Sequence, residues 1–556
     1  MSASREKKTR QDDPSGGMTE KQRRDMKEAQ KAKNKKILYW VCGIAAVVLV
    51  VALLVWDSGI FQRRTAAATV GDKTYTVADV SFYYSSTQRT LAQYAGYGLI
   101  SYDSSKSPAE QVLDATAVSN LTNYFGIEAT EGETFHDVFQ REALDALQYE
   151  ALMCDQAKAE GYTLSDEGKK QVEDNFQSFK DAAKQQGTSV TKLIQANYGK
   201  YLTESVFKTH LTNAQLASEF EQHKKDSYNY TDAELDTYYQ DHKSDLDTYD
   251  YRVAFVSGAP EAKTDADGNA VDPTAAETTV AMQQAKAKAD AMAEQVRGGT
   301  DFNEAAQQYV AETSQAQYAD PEYAHYTNIG SSISASSYGE WLTSSTHKAN
   351  DVGVVEEAGG TGYYVVQYLN SYLDKETIYS VDIRHILVKA ETTEPEPTPS
   401  ESADPEETAA PETTQPAAPT EEQYAAAKAK IESIQAEFEA GDKTPEAFGA
   451  LAAKYSEDPG SKDDGGYYEV TQSTNFFADF KNWCLDPARK PGDLGIIQNT
   501  QDGQYGYHLM YFQETGPLTW KHNAQTTMQA DAYQEWYDGI VGDYTAAAVD
   551  KGMGML

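Results

Sequence analysis

The first long stretch of regular patterning in the chain is helical. Between residues 84 and 245, apolar residues recur every three or four positions, as in DVFQREALDALQYEALMCDQAKAEG at 137–161, and this spacing is typical of amphipathic helices. Ser165 and Thr231 head helix-start sequences, the second of them a capping box. We therefore predict a mostly helical region over residues 57–245, entered through a short hairpin-like segment that begins at residue 70.

The pattern changes to a period of two at residues 381–390, VDIRHILVKA. Val381, Ile383 and Leu387 share one face of the predicted strand, and His385 takes a position on that face where an apolar residue is expected. Nearly the same strand occurs earlier, as DYRVAFVSG at 250–258, and there Val253 takes the place of the histidine.

These two strands open two copies of one sequence pattern. Each copy continues with a polar insertion, an alanine-rich helix, a short helix containing phenylalanine and a closing apolar strand. Trp341 precedes Asp351 by ten positions, and Trp483 precedes Asp493 by the same ten. So many points in the same order indicate a duplication. We predict an α+β chain with two tandem β-α-α-α-β domains, at residues 246–376 and 377–516.

The polar insertion of the second copy, residues 391–422, is rich in proline, threonine and glutamate. A segment of this composition cannot bury a core, so we predict a disordered, self-repelling loop. After the second copy, the pattern of residues 520–549 predicts an amphipathic helix.

Charge and hydropathy near the start of the chain indicate a membrane anchor. The first 36 residues hold twelve Lys/Arg and six Asp/Glu, a net of +6, and because the whole chain carries −38 the remainder carries −44. Residues 37–56 contain no charge, and tryptophans stand near both ends. Twenty helical residues span about 30 Å, the thickness of a bilayer core. This stretch is too long for a cleaved signal peptide.

The anchor assigns a place to each part of the chain. By the positive-inside rule, we expect residues 1–36 to form a basic cytoplasmic tail and residues 37–56 to form one transmembrane helix. The acidic bulk of the chain is then extracytoplasmic, and the protein is a single-pass protein of the cell membrane.

Several other function classes receive no support. The chain has three cysteines, Cys42, Cys154 and Cys484, and no CxxC or HExxH motif, so the sequence predicts no metal site. Its negative charge argues against binding of nucleic acid, which needs a basic face.

The closing strand of the second copy carries another histidine. His508 stands where the first copy has Tyr364, so both imidazoles of the second copy are absent from the first. The first and last strands of the copy lie side by side if it folds into one sheet, and two adjacent buried imidazoles can share an ordered hydrogen bond. A pair that is present or absent together indicates a functional site.

The second copy resembles the parvulin-type peptidyl-prolyl isomerase domain. The resemblance covers about residues 378–516 and rests on the RHILVKA strand, the run from Phe448 to Pro459, Gly465-Gly466, PGDLG at 491–495 and YGYH at 505–508. The whole layout is similar to the PrsA and SurA foldases of the bacterial envelope, which combine a helical chaperone region, parvulin units and a closing C-terminal helix. This likeness implies that the helix within residues 517–556 packs on the helical region.

The resemblance implies an enzyme that isomerises X-Pro bonds without a cofactor. Parvulins place two histidines and a Cys or Asp in one hydrogen-bond network, and these roles fall on His385, His508 and Asp458. The proline pocket falls on Phe476, Phe480 and Leu485, with Tyr505 at its rim. The implied partners are unfolded or newly secreted polypeptides that contain X-Pro bonds.

Two departures from the family pattern keep a second function open. After Gly465-Gly466 the family continues Asp-Leu-Gly, whereas this chain has Tyr467-Tyr468-Glu469, and the first copy lacks both histidines. The first copy is therefore expected to be catalytically silent. The alternatives are a membrane-anchored foldase that isomerises X-Pro bonds and a non-catalytic holdase chaperone that uses parvulin folds as scaffolds. The acidic insertion would repel phosphorylated substrates.

Overall fold

The computed structural model describes residues 21, 24, 40–51, 59–264, 270–392, 418–501 and 505–556. Two compact units are present: the first contains residues up to Tyr228 together with Asp531–Leu556, and the second runs from Asn229 to Ala530. Helices and sheets occur together, which confirms the predicted mixed fold class. Most of the predicted loop at 391–422 lies outside the described residues, because 393–417 are not among them.

Residues 40–51 are helical, and their side chains are exposed. Within the described part of the chain, no helix is both long enough and apolar enough to cross a membrane. The predicted anchor covers residues 37–56, of which 37–39 and 52–56 lie outside the described residues, as does nearly all of the basic tail at 1–36.

From residue 66 onwards, the first unit consists of a hairpin followed by six helices. These elements are β1 (Ala66–Val70), β2 (Lys73–Thr76), α1 (Val77–Gly96), α2 (Ala115–Phe125), α3 (Phe135–Glu160), α4 (Asp166–Gln185), α5 (Val190–Tyr198) and α6 (Glu204–Ser227). Side-chain oxygens of the N-cap residues of α2 to α6 each accept a hydrogen bond from the backbone N–H three residues on. Such caps satisfy amide groups that a helix start leaves unpaired, so the local sequence fixes where these helices begin.

A buried ionic cluster connects α1, α3 and α6. His210 of α6 is 2% exposed; its Nδ1 lies 2.9 Å from Glu150 Oε2 and its Nε2 lies 3.1 Å from Asp79 Oδ1. Tyr83 and Asn213 also donate hydrogen bonds to Glu150. Burial disfavours a charged imidazole, but the hydrogen bonds to Asp79 and Glu150 raise the pKa of His210 to about 9. His210 is therefore a cation held between two carboxylates.

The second unit contains two four-stranded antiparallel sheets with the same strand order. After α7 (Asp232–Asp241) and α8 (Lys243–Leu246), the first copy comprises β3 (Thr248–Ser257), the short pair β4 (Lys263–Thr264) and β5 (Ala270–Val271), α9 (Ala275–Arg297), α10 (Phe302–Tyr309), α11 (Glu312–Gln315), β6 (His325–Ile329), α12 (Gly330–Ile333), α13 (Gly339–Leu342), β7 (Val352–Glu356) and β8 (Gly362–Tyr372). Its sheet is ordered β6-β3-β8-β7.

The second copy repeats this arrangement. It comprises β9 (Ser380–Lys389), α14 (Glu421–Ala440), α15 (Pro445–Tyr455), β10 (Tyr467–Thr471), α16 (Ala478–Cys484), β11 (Leu494–Asn499) and β12 (Gly506–Thr515). Its sheet is ordered β10-β9-β12-β11. The first and last strands of each copy are thus neighbours at the centre of the sheet, as the repeat pattern predicts.

The tryptophan spacing that the two copies share has a packing explanation. A Cβ atom added to Gly353 of β7 would lie 2.3 Å from the ring of Trp341, and one added to Gly495 of β11 would lie 2.3 Å from the ring of Trp483. Only glycine allows an indole ring to lie this close to the strand. The repeated spacing therefore reflects the same tryptophan–glycine packing contact in both copies.

Both faces of the second sheet are covered. On one face of β9, Ile386 packs against the helices, with Ile431 of α14 in the same cluster. On the other face, Val381 and Ile383 belong to a cluster with Phe480 of α16. His385 lies on this second face by the alternation of the strand, so a polar ring is placed within a mostly apolar layer.

The last long helix begins in the second unit and ends in the first. In the second unit, Trp520 of α17 (Thr519–Val541) is buried in a cluster with Leu235 and Leu246. In the first unit, Tyr533 packs in a cluster with Leu152. The strand β13 (Ala546–Ala548) then pairs antiparallel with β1, and α18 (Asp550–Met553) follows it.

Candidate active site

Two imidazoles meet at the centre of the second sheet. On the paired strands β9 and β12, His385 lies opposite Met510 and His508 lies opposite Leu387, so the two histidines are diagonal neighbours on one face. Their Nδ1 atoms are 3.1 Å apart, and the rings are stacked with centroids 5.2 Å apart. Both are nearly fully buried, at 2% and 5% exposure. The structure thus brings together the two histidines that the sequence pairs.

Asp458 completes a chain of three ionisable groups. Its Oδ2 lies 2.9 Å from Nε2 of His385 and also accepts hydrogen bonds from Ser461 Oγ at 2.6 Å and Tyr468 Oη at 3.1 Å. Its Oδ1 accepts from the backbone N–H of Gly460. The hydrogen bond from His385, with that from Ser461, holds the pKa of Asp458 well below its ordinary value despite partial burial. Asp458 is therefore a carboxylate that can only accept hydrogen bonds.

This carboxylate fixes one hydrogen of the histidine pair, the one on His385 Nε2. Because Asp458 only accepts, Nε2 of His385 carries a hydrogen. Burial, together with the neighbouring His385 imidazole, lowers the pKa of His508 to about 3, so His508 is neutral near pH 7. When His385 is neutral, His508 Nδ1 donates to it and His508 Nε2 is left with a lone pair. When His385 is protonated, His508 Nε2 carries the hydrogen instead.

The hydrogen-bonded series Asp458, His385, His508 ends at a cavity. Nε2 of His508 is buried without a hydrogen-bond partner among the described residues, and a cavity of about 310 Å³ lies beside it, a size typical of sites for small molecules. The cavity lining consists of aromatic rings, polar side chains and members of the histidine network: His385, Leu387, Asp458, Tyr468, Asn475, Phe476, Phe477, Phe480, Asn499, Gln501 and His508.

Aromatic contacts hold the lining together. The ring centroids of Phe476 and Phe480 are 4.6 Å apart, and Phe480 meets both histidine rings edge-on at 5.5 and 5.4 Å. Phe477 lies 5.4 Å from His508. The site therefore combines an apolar, aromatic wall with one ordered polar chain.

Not every residue predicted for the proline pocket lies at the cavity. Phe476 and Phe480 line it, whereas Leu485 belongs to the adjoining apolar cluster and does not. Tyr505 is buried on the helix-covered face, in a cluster with Ile386. Tyr505 directly precedes β12, and its cluster includes Tyr507 and Leu509, which lie on the face of the strand opposite to His508.

The residues of the site that sequence reasoning missed include Ser461, Tyr468, Phe477 and Asn499. Ser461 Oγ lies 2.9 Å from His385 Nε2 as well as donating to Asp458. A signal for Tyr468 was present, since it belongs to the Tyr-Tyr-Glu departure after the glycine pair. Within the described residues, no group of three His, Cys, Asp or Glu side chains is arranged to hold a metal ion.

Gly466 explains why a glycine must precede these tyrosines. Its φ is +77°, and an added Cβ would lie 2.2 Å from the carbonyl oxygen of His385. The backbone N–H of His385 donates to the carbonyl of Gly466 at 2.8 Å. Any side chain at this position would displace the strand that carries His385.

The first copy has the same strand pairing as the second but lacks the two histidines. On β3 and β8, Val253 lies opposite Val366, and Phe255 lies opposite Tyr364. Val253 and Tyr364 therefore occupy the positions of His385 and His508. Tyr364 packs against Phe255 and Tyr338, with centroids 5.0 and 5.1 Å away, so aromatic packing replaces the imidazole pair.

Comparison with known proteins gives two family matches within the chain. Residues 409–514 match one sequence model of the PPIC-type PPIASE domain, a peptidyl-prolyl isomerase domain, and residues 265–372 match a second model with the same description. The first match includes Asp458 and His508, while His385 lies before it. No curated protein matches the chain.

Solved structures similar to this chain include three PrsA proteins. PrsA of Bacillus subtilis has 15% identity and a TM-score of 0.15, with 44% of this chain and 76% of that chain covered. The foldase protein PrsA of Streptococcus pneumoniae has 14% identity and a TM-score of 0.20, with 44% and 73% covered. The peptidylprolyl isomerase PrsA of Bacillus cereus has 15% identity and a TM-score of 0.18, with 52% and 91% covered.

The family matches agree with the repeated sheet order and with the site in the second copy. These two matched stretches show that the chain carries two parvulin-type peptidyl-prolyl cis–trans isomerase domains in tandem.

Proposed function

We propose that this chain is an extracytoplasmic, membrane-anchored foldase whose second parvulin domain isomerises X-Pro bonds in unfolded secreted polypeptides. The observation that carries the proposal is the chain Asp458–His385–His508, which ends at an aromatic-lined cavity. The first parvulin domain, with Val253 and Tyr364 at the histidine positions, is a non-catalytic spacer or binding surface.

The geometry suits the physical demands of prolyl isomerisation. Rotation about the X-Pro bond has a barrier of about 20 kcal/mol and breaks no bond, so the enzyme needs neither nucleophile nor cofactor. It must instead bind the twisted amide more tightly than either planar form. The wall of Phe476 and Phe480 can hold the proline ring away from water. The buried polar chain keeps this wall in one shape and presents His508 Nε2 to the bound amide.

The departure Tyr467-Tyr468-Glu469 is compatible with this role. Tyr468 donates a hydrogen bond to Asp458, and Tyr467 donates one to Asp382 of the neighbouring strand. Both tyrosines therefore support the sheet and the network, although the family has Asp-Leu at these two positions. The hydrogen bond from Tyr468 to Asp458 favours the foldase over the holdase, because it supports the histidine network.

The proposal is tested by measuring the interconversion itself. We expect the full chain in detergent micelles to accelerate cis–trans exchange of a short unphosphorylated X-Pro peptide, followed by NMR exchange spectroscopy. The variant His508→Ala should lose most of this acceleration, while Tyr364→Phe in the first domain should keep it, because only the second domain has the network.

The opposite result would identify the alternative function. If several peptides with different residues before proline show no acceleration, the three polar groups are scaffold remnants and the chain is a non-catalytic holdase. Suppression of aggregation of an unfolded client by the same preparation would then support that function.

We place the protein at the cell membrane, with residues 1–36 in the cytoplasm and the parvulin domains outside. The proposal rests on the twenty charge-free residues 37–56 and on the net charge of +6 before them. We expect the full chain to stay in the membrane fraction after alkaline carbonate extraction and a variant lacking residues 37–56 to be released. Release of the full chain under these conditions would contradict anchoring.

A further inference from the structure

Tyr468 belongs both to the aromatic wall of the cavity and to the hydrogen-bond network of the histidines. Its ring centroid lies 5.1 Å from that of Phe476, in the aromatic wall, and 5.3 Å from that of His385. Its hydroxyl donates to Asp458 Oδ2 at 3.1 Å. One side chain thus contacts the surface proposed to hold the proline ring and the carboxylate that orders the histidine pair.

The position of this hydroxyl makes it sensitive to what enters the cavity. Asp458 Oδ2 takes hydrogen bonds from His385, Ser461 and Tyr468, and the contact with Tyr468 is the longest of the three. Tyr468 is also on β10, the edge strand of the sheet, paired with Ile383 of β9. A proline ring packed beside Phe476 would touch the Tyr468 ring, and any shift of that ring changes the hydrogen bonds that Asp458 accepts.

The first domain offers an internal comparison. Tyr326 of β6 pairs with Tyr251 of β3, which is the register of Tyr468 and Ile383 in the second domain. The Tyr326 ring stacks on Tyr251 with centroids 5.6 Å apart, and Val253 stands in the position of His385 beside it. A tyrosine occupies the same place in both copies, but only in the second copy does it adjoin the Asp–His chain.

We propose that Tyr468 is a positioning residue that couples occupancy of the proline pocket to the hydrogen-bond network of Asp458, His385 and His508. The inference rests on the proposed isomerase function. The proline ring would set the position of the Tyr468 ring. The Tyr468 hydroxyl would then set the hydrogen bonding of Asp458, and Asp458 the proton arrangement of the two imidazoles.

The test removes the hydroxyl and keeps the ring. For Tyr468→Phe in the full chain, we expect kcat for an X-Pro peptide to fall about tenfold, as expected for one hydrogen bond to a charged group. KM should stay within about twofold, because the aromatic wall is unchanged. Tyr468→Leu removes the ring as well, so it should also raise KM. Tyr326→Phe is the matched control and should change neither constant.

A second readout separates coupling from simple support of the fold. The imidazole ¹⁵N resonances of His385 and His508 report which nitrogens carry hydrogens. Saturating X-Pro peptide should shift these resonances in the wild type and in Tyr326→Phe, and should shift them much less in Tyr468→Phe, although the peptide still binds.

The outcomes distinguish this inference from the function on which it rests. If Tyr468→Phe keeps the wild-type kcat, or lowers it while the peptide-induced ¹⁵N shifts remain, the coupling is refuted and the isomerase function stands. If the wild type itself does not accelerate isomerisation, the proposed function fails and the coupling fails with it.

Discussion

Replacement of Asp458 by asparagine is expected to lower kcat/KM for an X-Pro peptide by about 100-fold. Asp458 Oδ2 accepts three hydrogen bonds, one of them from His385. Asparagine has nearly the same size but no charge, and its NH₂ group would face the backbone N–H of Gly460, which now donates to Oδ1. Hydrogen bonds to a charged group contribute about 1.5–3 kcal/mol each, and about 2.7 kcal/mol corresponds to a 100-fold change in rate.

The measurement is NMR exchange of the peptide with the full chain, and Asp463→Asn is the matched control. Asp463 lies in the same loop, five residues from Asp458, and is exposed. The control should retain wild-type activity because its carboxylate is solvated. Activity of Asp458→Asn within twofold of the wild type would show that the order of the histidine pair does not depend on this carboxylate.

Replacement of His210 by leucine should destabilise the first unit by about 3–5 kcal/mol, the range measured when one partner of a buried ion pair is removed. Glu150 is 3% exposed, so the variant leaves it and Asp79 close together without their shared cation. The free energy of unfolding can be followed by urea-dependent hydrogen exchange of peptides from α3 and α6. His223→Gln on the exposed side of α6 is the control and should cost much less.

The same cluster predicts how the stability of the first unit depends on pH. The pKa of His210 is raised from 6.5 to about 9 in the folded protein. A raised pKa means that the stabilisation is fully present below pH 6.5, declines above it and is lost as the pH rises through about 9. The wild type should lose stability over this range, whereas His210→Leu should not show this loss. An equal decline in both proteins would assign it to other groups.

The candidate site shows which parts of a site a sequence can predict. His385 and His508 were detectable because a duplicated pattern provides its own control: both positions are apolar or aromatic in the first copy. Asp458, Phe476 and Phe480 followed from the family resemblance, and the structure places all three at one cavity. The resemblance also placed Tyr505 at the rim of the pocket, but the structure buries it on the opposite face of the sheet, because a motif gives the order of residues along the chain and not the face of the sheet on which each one lies.

The residues that were missed share a different property. Ser461 and Tyr468 lie on a loop and an edge strand, and their hydroxyls join the network only because the fold brings them within 3.1 Å of Asp458. Serine and tyrosine are common in such positions without a functional partner, so residue type alone does not single them out. His210 is similar, since its two carboxylate partners come from helices 60 and 131 residues away in the sequence.

By itself, the sequence determined the mixed fold class, the duplication and the pairing of the two histidines, because periodicity and repetition are properties of order along the chain. It also determined that helices begin at Ser165 and Thr231, because their caps are local. Only the tertiary structure decided which side chains share the Asp458 carboxylate and which rings line the cavity. Those contacts join residues far apart in the sequence, and their geometry depends on strand register and packing, which no local pattern specifies.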